Sequence, residues 1–123
     1  MSGWIGVDFD GTLVSNYDGS MEDIGTPIPA MMTRVKEFLK RGVEVRIVTA
    51  RAVYGQKEID KIQLWLVEHG LPKLKVTAQK DPAMLLLFDD RAIGVVSNTG
   101  QLSEELAFEN GYRRGRTECQ TNP

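Results

Sequence analysis

Val7-Asp8-Phe9-Asp10-Gly11-Thr12-Leu13 is the stretch on which the reading of this chain turns. It closes the first apolar run, Trp4 to Phe9, and sets two carboxylates two residues apart against a Gly-Thr turn. On an extended strand, side chains at i and i+2 point to the same face. Asp8 and Asp10 are therefore expected to converge just past the strand's C-terminal end. Paired anions there need a cation, a shared proton or both. A hard cation such as Mg2+ fits, because it prefers oxygen ligands and takes few from protein. The same letters would also suit a plain Asp-Gly turn closing a hairpin, and residues further along the chain decide between the two.

The whole sequence narrows the options. With 123 residues, 41% hydrophobic and 26% charged, it has the balance of one soluble globular domain with a real core. The expected division is a single domain over 1–112 and a polar, flexible tail over 113–123. The net charge of −2 gives no global positive field, so composition does not support nucleic acid or a membrane surface as partner. Cys119, in the tail, is the only cysteine. No disulfide within the chain is possible, which suits a reducing compartment, and the protein is expected to be cytoplasmic. The longest apolar run, Met84 to Phe88, is too short to cross a bilayer.

Taken in order, the chain alternates strand and helix signals. Leu13 to Thr26 reads as an exposed loop, long enough to act as a flap over a site, with Tyr17 a possible substrate contact. Thr26-Pro27-Ile28-Pro29 starts a helix whose apolar stripe is Met31, Met32, Val35, Phe38 and Leu39, ended by Gly42. Val43 to Thr49 is a strand that stops at Thr49-Ala50-Arg51, offering a hydroxyl and a guanidinium as phosphate-oxygen donors. An N-cap threonine followed by a surface arginine would give the same letters. Gln56 to His69 is a second helix, closed by Gly70 and Pro72; His69 is given no catalytic role. Leu74 to Thr77 is a short strand, and the turn after it carries Lys80. Met84 to Phe88 reads as a central strand buried on both faces, ending in Asp89-Asp90-Arg91. Ala92 to Val96 is read as an edge strand, and Asn98 as the cap of a helix over Gly100–Asn110.

This order implies an α/β fold with a mostly parallel sheet. In open sheets of that kind, sites form beyond the carboxyl ends of the strands. That is where Asp8 and Asp10, Thr49 and Arg51, and Asp89 and Asp90 fall, with Lys80 on a nearby loop. Such an acid-rich set would repel a phosphate dianion unless Mg2+ bridged carboxylate and phosphate oxygens. A carboxylate beside that ion can attack phosphorus and form an acyl phosphate. A second carboxylate can serve the leaving oxygen and then the attacking water as acid and base.

In this combination the chain resembles the haloacid dehalogenase (HAD) superfamily. Asp8-Phe9-Asp10-Gly11-Thr12-Leu13, Thr49, Lys80 and Asp89-Asp90 look like its four motifs, in order, across Ile5 to Asp90. The resemblance implies a three-layer, Rossmann-like open sheet with strand order 5-4-1-2-3. It implies Asp8 as nucleophile and Asp10 as general acid and base, with Lys80 steadying both nucleophile and phosphate. Thr49 would bind the transferred phosphoryl group, with Gly11 and Arg51 as further phosphate contacts. Asp8, the Asp10 backbone carbonyl and Asp89 would hold Mg2+, with Asp90 as a further acidic support. The second aspartate matches the family's phosphatases and phosphotransferases; its true dehalogenases lack it. Both intervals in which members carry a cap are short here, which resembles the cap-free members. An uncapped site suits a phosphate on a large molecule, or cover by a neighbouring subunit. Asp-Asp-Arg and Thr-Ala-Arg also resemble the phosphatase domain of polynucleotide 3′-phosphatases. The expected activity is thus Mg2+-dependent phosphomonoester hydrolysis. A nucleic-acid end-processing enzyme and a catalytically weak regulatory protein of the same fold are the alternatives.

Overall fold

The computed structural model describes residues 2–16 and 23–103. Its elements are β1 (Trp4–Val7), α1 (Pro29–Lys40), β2 (Glu44–Val48), a 3₁₀ turn (Ala50–Tyr54), α2 (Gln56–Glu68), β3 (Lys75–Thr77) and β4 (Met84–Phe88). The four strands form one sheet in the order β3-β2-β1-β4, and every pairing is parallel. The protein is therefore α/β with an all-parallel sheet.

Each element follows from its residues. Pro29 occupies the first turn of α1, where its missing N–H costs nothing. Gly42 at φ 79° and Gly70 at φ 87° take the left-handed conformation just past α1 and α2. The connections β1-α1-β2 and β2-α2-β3 step the same way across the sheet. Right-handed crossovers then put both helices on one face. That face carries Ile5, Val7, Val45, Ile47 and Val76, packed with Met32 and Val35 of α1 and Ile62, Trp65 and Leu66 of α2. Phe9, just beyond β1, meets Trp65 edge-on at 5.2 Å.

Both helices of the described residues thus lie on one side, and the expected third layer is not among them. Six residues, Ala78 to Ala83, join β3 to β4 without a helix. Three inter-strand steps come to about 14 Å and the return from the level of Val48 to that of Trp4 to about 13 Å, a diagonal of roughly 19 Å that the extended chain from Thr77 to Met84, about 23 Å, can span. Asp81 pins this crossing. Its carboxylate accepts the Trp4 indole N–H at 2.8 Å and an Arg46 N–H at 3.2 Å, and Arg46 in turn lies over the Trp4 ring. The Trp4 hydrogen bond, then the Ala83 N–H, hold the Asp81 carboxyl below its usual range.

Three expectations change. First, β4 pairs only with β1 and forms an outer strand of the described sheet, with Leu85 49% and Leu86 55% exposed. An unbroken apolar run shows that a strand lacks a polar face, but it does not say which neighbours cover it. Second, Leu13 and Val14 are fully buried instead of opening an exposed loop. Ile28 donates to the Leu13 carbonyl at 2.8 Å, and the Ser15 and Thr26 hydroxyls meet at 3.0 Å, closing the base of the loop. Tyr17 and the loop tip lie outside the described residues.

Third, the chain divides into two units between Asp90 and Arg91. In the second, the strand expected over Ala92–Val96 reduces to one bridge, Val95 with Leu102. Asn98 at φ 66° and Gly100 at φ 75° turn the chain back on itself there. The helix expected over Gly100–Asn110 does not begin by Ser103; its remainder, and the 113–123 tail with Cys119, lie outside the described residues. Among the described residues, no helix is long and apolar enough to cross a membrane.

Candidate functional site

Strand β1 lies between β2 and β4, so whatever follows Val7 emerges between two other strand ends. Asp8 is fixed there by its own N–H, which donates to the Phe88 carbonyl of β4 at 2.8 Å. Carboxylate oxygens of Asp8, Asp89 and Asp90 lie within 4.8 Å of one another. Thr12 ties the group together. Its hydroxyl lies 3.4 Å from an Asp8 oxygen and 3.2 Å from an Asp90 oxygen, and it accepts the Asp90 backbone N–H at 3.1 Å. Thr12 was given no role from the sequence; its place in the Asp-x-Asp-Gly-Thr string was the signal available.

Gly11 makes the close approach possible. It has φ 85°, and a Cβ there would press on the Asp90 carboxylate, 2.9 Å from its Cγ. Its N–H donates to the Val14 carbonyl at 2.8 Å, so the expected contact from this amide to phosphate is already spent inside the turn.

The electrostatics are those of crowded anions. Burial first, then a hydrogen bond with Asp90 and the charges of Asp89 and Asp90, push the Asp8 carboxyl from 3.8 up to about 7; the Phe9 N–H opposes the rise. Three carboxylate oxygens this close together are a donor set for a hard cation. Asp8, Asp89 and Asp90 are the residues able to hold it.

Asp10 belongs to a different contact set. The strand ends at Val7, so the i, i+2 rule no longer governs Asp10, and its carboxylate meets the β2 end of the sheet instead. Arg51 grips both its oxygens, Nε to Oδ2 at 2.6 Å and Nη2 to Oδ1 at 2.9 Å. Arg51 also donates through Nη1 to Glu58 of α2 at 3.0 Å. Its side chain is 1% exposed, against 18% for Asp10 and 20% for Glu58. The expectation of Arg51 as an open phosphate donor is therefore corrected: its fork is committed to two carboxylates. The Asp10 side chain is likewise no part of the acidic cluster.

Thr49 is 3% exposed and caps the 3₁₀ turn, its Oγ1 accepting the Arg51 N–H at 3.2 Å. This use leaves the Thr49 O–H able to donate. Lys80 is exposed on the β3–β4 crossing, and among the described residues no hydrogen bond or ion pair joins it to the carboxylates. The sequence set it beside them because a turn after a strand was expected to stay at the sheet's C-terminal edge. The crossing instead leads to Asp81 at Trp4, the first residue of β1.

No protein-family model matches the chain, and no curated protein does. Among solved structures, the fold is similar to that of a conserved protein from Bacteroides thetaiotaomicron, with a TM-score of 0.56 and 23% identity over 89% of this chain and 93% of that one.

Proposed function

We propose that the chain is a cap-free phosphomonoester hydrolase of the haloacid dehalogenase type, dependent on Mg2+ and acting through phospho-Asp8. The observation that carries this reading is the convergence of Asp8, Asp89 and Asp90 past the ends of β1 and β4. The strand order supports it, since β3-β2-β1-β4 corresponds to the 4-1-2-3 part of 5-4-1-2-3.

Bound Mg2+ would offset the three carboxylates and draw phosphoryl oxygens toward them. The chain's own groups then divide the work. An Asp8 oxygen forms a bond to phosphorus as the bond to the leaving oxygen breaks. Asp10 turns off Arg51 and takes up a proton from solvent; it gives that proton to the leaving oxygen and then takes one from the water that next attacks phosphorus. The second attack breaks the bond to Asp8 and releases inorganic phosphate. The Thr49 O–H donates to a phosphoryl oxygen.

The end-processing alternative has less support, because Arg51, half of its sequence basis beside the site, is spent on Asp10 and Glu58. Phosphate release from sugar phosphates, nucleotides and 3′-phosphorylated DNA, with Mg2+ and with chelator, tests the proposal. Chelator-sensitive release by the wild type, lost in Asp8→Asn, is expected. Turnover retained in that variant contradicts the mechanism.

A further inference from the structure

An open groove of about 350 Å3 runs from the acidic cluster along the start of α1. Asp89 and Asp90 line it together with the apolar Ile28, Met31 and Phe88 and with Arg34. Met31 and Arg34 stand three residues apart on α1, which puts them on one side of the helix. Arg34 is exposed and has no hydrogen-bond or ion-pair partner among the described residues, although two carboxylates line the same groove. Arg46 and Arg51 differ in this respect, each being engaged by two carboxylates.

An unengaged guanidinium, apolar side chains and an acidic cluster suited to a cation line one groove and give it three separate chemistries. We propose that Arg34 is a specificity-determining residue that binds a second anionic group on a small phosphomonoester, whose apolar part lies over Ile28, Met31 and Phe88. The inference rests on reading the cluster as the phosphoryl site. The planar fork of arginine suits a carboxylate or a second phosphate, which it can grip through two parallel hydrogen bonds. The groove's size is at the lower end of the range for small-molecule pockets. A single cation gives no track for a nucleic-acid backbone, where each neutralised phosphate needs its own.

The test compares phenyl phosphate with 4-carboxyphenyl phosphate, using the full chain with Mg2+. The wild type should favour the carboxylated compound about five-fold in kcat/KM, mostly through KM, as an exposed ion pair allows. Arg34→Ala should bring that ratio to about one, Arg34→Glu should invert it, and Arg34→Lys should keep part of it. A ratio unchanged in Arg34→Ala overturns the inference while leaving phosphatase activity standing. If neither compound is hydrolysed, calorimetric binding of the same two compounds decides the matter. A preference for the carboxylated one that disappears in Arg34→Ala supports the role of Arg34; equal binding, or no binding, overturns it.

Discussion

Arg51 holds both carboxylate oxygens of Asp10, with Nε 2.6 Å from one and Nη2 2.9 Å from the other. Forty-one residues separate the pair in sequence, yet the guanidinium is fully buried and its remaining terminal nitrogen bonds Glu58. This clamp joins the end of β1 to the 3₁₀ turn and to α2. It also sets the direction of the carboxylate proposed as the acid and base.

Breaking the clamp should be costly, because two carboxylates would lose their shared cation. Arg51→Met is expected to destabilise the fold by about 3 kcal/mol, read as a shift in the urea midpoint. Arg51→Lys should recover little of this, since a point charge cannot make the forked contact. If the variants still turn over substrate, kcat should fall with KM little changed, because the clamp sets the direction of the Asp10 carboxylate. An unchanged kcat would make Arg51 purely structural.

The raised Asp8 carboxyl gives a signed pH dependence. Its folded value of about 7 exceeds the reference 3.8, so its contribution to stability is complete below about 3.8 and is lost as pH rises through about 7. Without divalent cation, thermal unfolding of the wild type relative to Asp8→Asn should therefore worsen from pH 4 to pH 8. With Mg2+ the trend should reverse, because binding needs the ionised carboxylate and stabilises more as protons leave. Melting curves at several pH values, with Mg2+ and with chelator, check both signs.

Gly11 and Gly42 make a matched pair of substitutions. Both have positive φ, 85° and 79°, but a Cβ at Gly42 meets nothing within 4 Å, whereas one at Gly11 meets the Asp90 carboxylate. Gly42→Ala should cost only the backbone penalty, about 1 kcal/mol. Gly11→Ala should cost more and also weaken Mg2+ binding about ten-fold or more, as losses around metal ligands do. Calorimetric titration with Mg2+ separates the two effects.

Thr12→Val keeps the shape but removes the hydroxyl that touches Asp8, Asp90 and the Asp90 backbone N–H. The loss of its hydrogen bonds should destabilise the fold by about 1–3 kcal/mol and lower Mg2+ affinity. Unchanged affinity would show that the carboxylates stay in place without it.

Much of this was legible in the sequence because it is local. The apolar stripe Met32-Val35 and the strand-like runs gave α1, β2 and β4 nearly to the residue, while β1 was read two residues too long. Acids at the ends of apolar strands gave Asp8, Asp89 and Asp90, since parallel strands deliver their C-terminal ends to one edge. The rest depended on contacts that no short window contains. Arg51 looked like a surface donor because Asp10 and Glu58 meet it only in the folded chain. Asp10 left the Asp8 group because β1 stops at Val7, a boundary that the apolar Phe9 disguised. Lys80 followed the same pattern: only the fold shows that the next residue, Asp81, is held at Trp4.

The central claim, that Asp8 is the nucleophile, is tested most directly by trapping the phosphorylated protein. Wild-type chain would be mixed with a hydrolysed phosphomonoester and Mg2+, quenched in acid and examined by peptide mass spectrometry. The account predicts one phosphoryl group on the peptide containing Asp8, absent with chelator and absent in Asp8→Asn. Phosphate release by the wild type with Asp8 never phosphorylated, or by Asp8→Asn at the wild-type rate, would contradict it.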